Sequence, residues 1–582
     1  MIGVIGAMAK YNKYPETKIQ KYDAAWAGYD SIVKELKEKI GSGKKTLVIE
    51  SYIGIDNTEI LENLIKPLQP QKIIFSDSLA YDEEKINQMV ERDLIPDDRV
   101  FGILTHYEIK DFFDPEVLKK AKEEIEDVKG LTVIYGTGAS LVTTGDILIY
   151  ADLSRWEAQL RYRAGATNWK IGNSEEDILK KYKRGYFLEW RISDKLKDKL
   201  HKSIDYLLDT NRKNDPAMVS GKDYRHGLSE VVKQPFRGVP YFDASVWGGT
   251  WMEEKFGLEH IGKNYGWSFD GVPEENSLYL RYGDVKIEIP SINIVHQYPN
   301  ELLGAKVHSR FGKEFPIRFD YLDTMEGGNL SLQVHPLTEY IQEKFGMHYT
   351  QDESYYILDA KEDASVYLGV KENINLDEMI DDLKRAQNGN YIFPDEKYVN
   401  CFPAKKHDHF LIPAGTVHCG GSDVVVLEIS ATPYIFTFKL WDWGRIGLDG
   451  KPRPVHIDHG KHNIQTDRTT KWVEENLINH VQAIEETKDH KEERTGLHEL
   501  EFIETRRHWF DQKITLSTKG SVNMLNLIEG EEAVVESIDG SFQPYEIHYG
   551  ETFIIPAQIE QYTITPKNNK NQKLAVMQAY VR

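Results

Sequence analysis

The chain has 582 residues, more than one hydrophobic core ordinarily supports, so about three or four domains are expected. Its balance of 40% hydrophobic, 28% charged and 11% aromatic residues excludes a disordered protein, and a formal net charge of −21 argues against a nucleic-acid partner, whose binding rests on clustered cations. Two cysteines, Cys401 and Cys419, without CxxC spacing exclude a disulfide framework and a thiolate metal centre and fit a reducing cytoplasm. The N-terminal apolar stretch lacks a cationic lead and no run approaches the roughly 20 apolar residues of a membrane helix, so neither secretion nor a membrane is expected.

In chain order, a helical segment near Ala24 to Ile40 precedes TLVIES (Thr46–Ser51), a β-branched apolar run that predicts a buried strand. Helical Thr58–Ile65, strand KIIFSD, helical Pro115–Val128, strands LTVIYG (Leu131–Gly136) and ILIYAD (Ile147–Asp152), and helical SRWEAQLRYR follow. This alternation predicts an α/β domain over residues 1–235, built on a parallel sheet. GSGKKT (Gly41–Thr46) has the composition of a phosphate loop, but it precedes the first strand, and YIGIDN, in the right place, lacks the closing Lys-Ser/Thr. With YGTGAS after the third strand and ADLSRWEAQLRYRAG after the fourth, the domain resembles the uridine kinase and phosphoribulokinase branch of the P-loop fold. The resemblance implies a degenerate, catalytically silent member. Arg155, Arg161 and Arg163 then form either a solvated helix face or a retained anion site.

From Pro240 the pattern changes to short strands and turns, as in LSLQV, SYYIL, HFLIPA and VVVLEIS, which predicts an all-β barrel over residues 240–470 with a helical insertion near 375–388. Lys471–Thr487 reads as helical and the charge run Thr487–Thr495 as a solvated linker, together covering residues 471–496. Residues 497–582 return to strands. Their ETFIIPA echoes HFLIPAG, which suggests a second, related barrel, expected to be metal-free because only the first carries histidines in the matching place.

Gln333 and His335 in LSLQVHP are two apart on a predicted strand and so share a face. Glu353 opens the next predicted strand, and His418 closes HFLIPAGTVH behind a corner made by Pro413 and Gly415. Nitrogen and oxygen donors in this mixture suit zinc. Each residue alone is more often a satisfied structural group; the set is not.

The order QxHP, Glu353 leading YYIL, and IPAGxxH, with VWGGT (Val246–Thr250), PIRFDYLDT, LWDWGR and GKPRPVHI around it, resembles the class I, zinc-dependent mannose-6-phosphate isomerases from about Tyr241 to the C-terminus. The resemblance implies a double cupin of jelly-roll barrels and one Zn2+ per chain on Gln333, His335, Glu353 and His418. It also implies a sugar-phosphate substrate, with mannose 6-phosphate and fructose 6-phosphate interconverted through a cis-enediol that the cation stabilises while a base shuttles the proton. Ser331 falls at a phosphate contact and Glu428 at a carboxylate that is either catalytic or a paired structural group.

Three positions depart from the family: Gln351 stands where it has Lys, Phe438-Lys439 where it has Tyr-Arg, and Ile435 (or Tyr434, with a one-residue insertion) where it has Asp. Lysine keeps the charge of arginine but loses its fork. Lys439, Glu428 and Arg445 are therefore the expected catalytic groups, with His348 and His407 as further replacements, and Ser331 and Gln351 the expected substrate contacts. The alternatives are an isomerase of another sugar phosphate or a zinc-binding sugar-phosphate sensor without turnover. An iron dioxygenase is disfavoured by glutamine as first ligand. The sequence leaves the oligomeric state open.

Overall fold

The computed structural model describes residues 10–43, 45–387, 391–431, 436–448, 450, 452–496, 498–567 and 573–582. The chain divides into two compact units, one joining Glu16–Val231 with Glu274–Tyr298, the other joining the residues up to Pro15 with Val232–Pro273 and Pro299–Arg582. Among the described residues, no helix is long and apolar enough to cross a membrane.

In the first unit, Thr46–Ser51, Lys72–Phe75, Thr132–Gly136, Ile147–Asp152 and Tyr206–Asp209 run parallel. Counted in chain order, these five lie side by side as two-three-one-four-five. Leu47, Val48, Ile49 and Ile149 are fully buried, as a sheet covered on both faces requires. Two further strands, Ala217–Ser220 and Ala25–Ala27, extend the sheet antiparallel beyond Tyr206–Asp209. The helix Pro115–Glu126 begins as its sequence dictates, with Asp114 accepting from the Glu116 N–H and proline in the first turn.

The stretch Glu274–Tyr298, assigned from its short strands to the β region after residue 240, clusters instead with the first unit. Ser277–Tyr282 pairs in parallel with Glu16–Lys18, an Arg281–Glu16 ion pair of 2.7 Å locks the register, and Asn293 donates to Asp152 at 2.7 Å. A strand pattern carries no record of its distant partner.

At the C-terminal edge of the sheet, Glu50 accepts from the backbone N–H groups of Gly138 and Ser140, both at 2.7 Å, and Asp77 accepts from that of Thr137 at 3.0 Å. The YGTGAS loop thus spends its donors on the protein's own carboxylates. Burial pushes the Glu50 carboxyl up to about 7. Arg155 is buried between Asp194 and Glu274, Arg161 bonds Glu157 and the carbonyls of Gly54 and Thr210, and Arg163 lies over the Trp156 ring. Neither expectation for these arginines describes Arg155, which serves an internal ion cluster.

The second unit holds two β modules. The central one faces a six-stranded antiparallel sheet, containing Arg318–Asp323, Asp352–Ala360, His409–Ile412 and Val424–Ala431, with a five-stranded sheet containing Leu332–Val334, His418–Gly420 and Phe438–Trp441. The insertion forms the helix Leu376–Gln387. In VWGGT, Gly249 lies where a Cβ would come within 2.1 Å of the Asp323 carboxylate, which accepts from the N–H groups of Met252 and Met325. The C-terminal module pairs a six-stranded sheet that includes Ile503–Phe510, Asn523–Glu529 and Leu574–Val581 with a four-stranded one.

The expected helix and linker between the modules need correction. Helix spans only Thr470–Asn476; Gln482–Glu486 and His490–Gly496 form a hairpin at the edge of the C-terminal six-stranded sheet. Its charges pair across strands, Glu492 with Arg506 at 2.9 Å and Glu493 with Arg507 at 2.8 Å. The charge run Thr487–Thr495 thus forms the turn and inner strand of the hairpin, where ion pairs across strands leave the same composition as a linker.

Candidate metal centre

The site is assembled by strand register. Gln333 stands opposite His418 on one neighbouring strand and opposite Lys439 on the other, and directly opposed antiparallel residues point to the same face. Glu353, opposed by Ile412 and Ser430, comes from the facing six-stranded sheet. The corner before His418 needs glycine: Gly415 has φ +88°, and a Cβ there would meet Gln465 Cγ at 2.6 Å and the Asn463 carbonyl at 2.9 Å.

His335, Glu353 and His418 are buried, and one ligand atom from each lies within 4.8 Å of the others. His335 Nε2 is 3.1 Å from Glu353 Oε2, and His418 Nε2 is 2.9 Å from Glu353 Oε1. Each imidazole donates through Nδ1 to a backbone carbonyl, His335 to Phe436 at 2.8 Å and His418 to Thr416 at 2.9 Å. That fixes the ring orientation and turns each Nε2 lone pair inward, the arrangement of metal-ligating histidines. His335 Nε2 and Glu353 Oε1 are buried without a hydrogen bond of good geometry, which fits a donor set built for a cation. The Gln333 amide lies 3.1 Å from His418 Nε2, and a half-turn of the amide presents its oxygen to the same point. Burial opposes the charge on Glu353, but His335 and His418 hold its carboxyl well below the usual range.

The other expected site residues fall into distinct places. Gln351, expected to touch substrate, donates to Glu353 Oε2 at 3.0 Å and accepts from the Phe436 N–H at 2.9 Å, so its amide orients the glutamate. Ser331 donates to Asp442 at 2.7 Å, and Asp442 also receives Arg445 at 2.6 Å and Arg453 at 2.8 Å. Arg445, which further donates to the Asn329 carbonyl, is thereby a tether for Asp442 and Ser331. Lys439 is half-buried on the Gln333 side. Glu428 is buried between Tyr355 and Asp320 in the sheet, and burial, then Glu353 and Asp320, push its carboxyl far up.

His348 is exposed, 3.6 Å from Glu314. His407 bonds Tyr356, which alternates to the opposite face of the strand from Glu353 and so places that histidine away from the cluster. Tyr434 and Ile435 lie outside the described residues. Sequence reasoning passed over Tyr355 and Asp442. The signal for Tyr355 was present, since the period of two that joined Gln333 to His335 also joins Glu353 to Tyr355.

Residues 28–233 match a family described as a domain of unknown function, DUF8485. Mannose-6-phosphate isomerase ManA of Bacillus subtilis is 23% identical over 341 residues, 57% of this chain and 96% of that protein. A mannose-6-phosphate isomerase of Streptococcus mutans is 26% identical over 217 residues, 37% of this chain and 62% of that one. The crystal structure of the Bacillus subtilis mannose 6-phosphate isomerase aligns with a TM-score of 0.49 at 19% identity, over 60% of this chain and 99% of that one.

Proposed function

We propose that the chain from about Tyr241 onward is a cupin-type aldose–ketose isomerase that interconverts mannose 6-phosphate and fructose 6-phosphate, with one zinc on Gln333, His335, Glu353 and His418. The observation that carries this reading is the buried convergence of His335, Glu353 and His418 within 4.8 Å, on rings whose free nitrogens face inward. The curated relatives matched over this region, named for that isomerisation, support it.

A divalent cation there supplies Lewis acidity, polarising a carbonyl oxygen and stabilising negative charge on it. The chain's own residues do the remaining work. Moving a proton between adjacent carbons requires a positioned acid and base. Glu428, whose carboxyl burial pushes up, stands opposite Tyr355 on the face that carries Glu353, and Lys439 brings a cation to the Gln333 side. Ser331 and Arg445, joined through Asp442, form the polar wall suited to orienting the phosphate.

The test is a metal count with an assay on the full chain. Zinc near one per chain and conversion of mannose 6-phosphate, both lost in His335→Ala, support the isomerase. Bound zinc without turnover on any hexose or pentose phosphate supports the sensor, which Gln351 favours because its amide carries no transferable proton where the family has lysine. Turnover confined to another sugar phosphate would reassign the substrate.

For residues 1–235 the reading is a P-loop-like domain without catalysis. The strand order two-three-one-four-five and the occupation of the YGTGAS donors by Glu50 and Asp77 support it. Saturable ATP binding by the full chain would contradict it.

A further inference from the structure

Tyr355 follows Glu353 on the same face of the strand Asp352–Ala360, opposed by Phe410 on one side and Glu428 on the other. Its ring meets that of His418 edge-on, with centroids 5.8 Å apart at 75°. The residue is fully buried, yet its hydroxyl makes no hydrogen bond of good geometry among the described residues, only a looser contact with the Glu353 carboxylate. Phenylalanine would fill the same volume without burying an unpaired hydroxyl, so the hydroxyl is expected to have a partner in the working state of the site.

The groups around it identify that partner. A phenol hydroxyl can donate one hydrogen bond, and the Glu353 carboxylate, two residues before it on the same strand face, is within its reach. Glu353 Oε2 already takes the Gln351 amide, while Oε1, 2.9 Å from His418 Nε2, makes no hydrogen bond of good geometry. A carboxylate has about four lone-pair sites, enough to face a metal and accept from both neighbours.

We propose that Tyr355 is a positioning residue of the metal centre, whose hydroxyl donates to the Glu353 carboxylate and, with Gln351 on the other oxygen, clamps that ligand in its metal-facing orientation. This rests on reading the cluster as a metal centre. Outer partners of metal ligands typically contribute about 10–100-fold in metal affinity, because they remove the ligand's freedom to turn away.

The test is Tyr355→Phe in the full chain, read by competition with a chromogenic chelator for zinc and for cobalt, without any sugar phosphate present. The expected result is metal affinity lower by about 10–100-fold, with the melting temperature of the metal-free protein unchanged or raised. Gln351→Leu, which cuts the other arm of the clamp, should show a loss of the same order. Wild-type affinity in Tyr355→Phe overturns the proposal, and so does a matching drop in metal-free stability, which would make the hydroxyl a structural group. If the wild-type chain binds neither metal, the metal reading falls and this proposal with it; affinity retained by the variant alone removes only the role of Tyr355.

Discussion

The two β modules of the second unit share a phrase, HFLIPAG in the central one and TFIIPAQ in the C-terminal one, yet fill their interiors with opposite chemistry. In the central module the strand and corner deliver His418 to Glu353 and His335. In the other, Gln558 takes the place of Gly415, the chain enters a short turn at Ala557–Ile559, and Gln561, in the place of His418, is exposed. The interior there is Leu525, Leu527, Val535, Ile547, Phe553, Ile555 and Val576. The strand pattern sets the scaffold, while a few inward positions decide whether that scaffold stores stability or chemistry. Buried Glu353 and Glu428 cost the central module stability, and the apolar interior of its neighbour supplies it.

That contrast can be broken most severely at the ligands. His418→Ala is expected to abolish metal binding and turnover while leaving the C-terminal module folded, as metal analysis, the coupled assay and circular dichroism would show. Glu428→Gln removes the carboxyl but keeps the shape; turnover should fall by about 10²–10⁴-fold with zinc retained, and an unchanged rate would exclude it from proton transfer. Leu527→Ala tests the other interior: a cost of about 2–5 kcal/mol in denaturant unfolding, with metal affinity unaltered, is expected for a core truncation.

The smallest effect uses a buried carboxylate outside both modules. Glu353 has two imidazoles beside it, whereas Glu50 is met by the Ser140 hydroxyl and the backbone N–H groups of Ser140 and Gly138, and burial carries its carboxyl up to about 7. A raised carboxyl binds its proton more readily when folded than when unfolded. The stability this lends is therefore present below the usual carboxylate range and is lost as the pH rises through about 7. The first unit of the wild type should lose on the order of 1–2 kcal/mol between about pH 5 and pH 8, and Glu50→Gln, which does not titrate, should abolish that part of the pH dependence. Thermal unfolding of both proteins at the two pH values reads this directly, and a constant difference would show that Glu50 does not titrate in this range.

Much of the site was legible because it is written in local terms. The spacing of Gln333 and His335, the glycine corner before His418 and the opening position of Glu353 all follow from the period of a strand and the demands of a turn. The edge hairpin at residues 482–496 differs from the expected linker because charges paired across strands and charges on a linker look alike in sequence. Glu274–Tyr298 was misassigned because a strand's sequence does not name its partner.

The sequence by itself determined the alternation of the first unit's core strands, the change to short strands after Pro240, and four residue types able to hold a metal. These are properties of near neighbours along the chain. Only the tertiary structure decided that Gln351 serves Glu353, that Asp442 gathers Ser331, Arg445 and Arg453, and that Glu50 fills the loop at Gly138. The physical reason is that ionisation and hydrogen bonding depend on burial and on the nearest polar group in space, and for these side chains that group lies on another strand or loop.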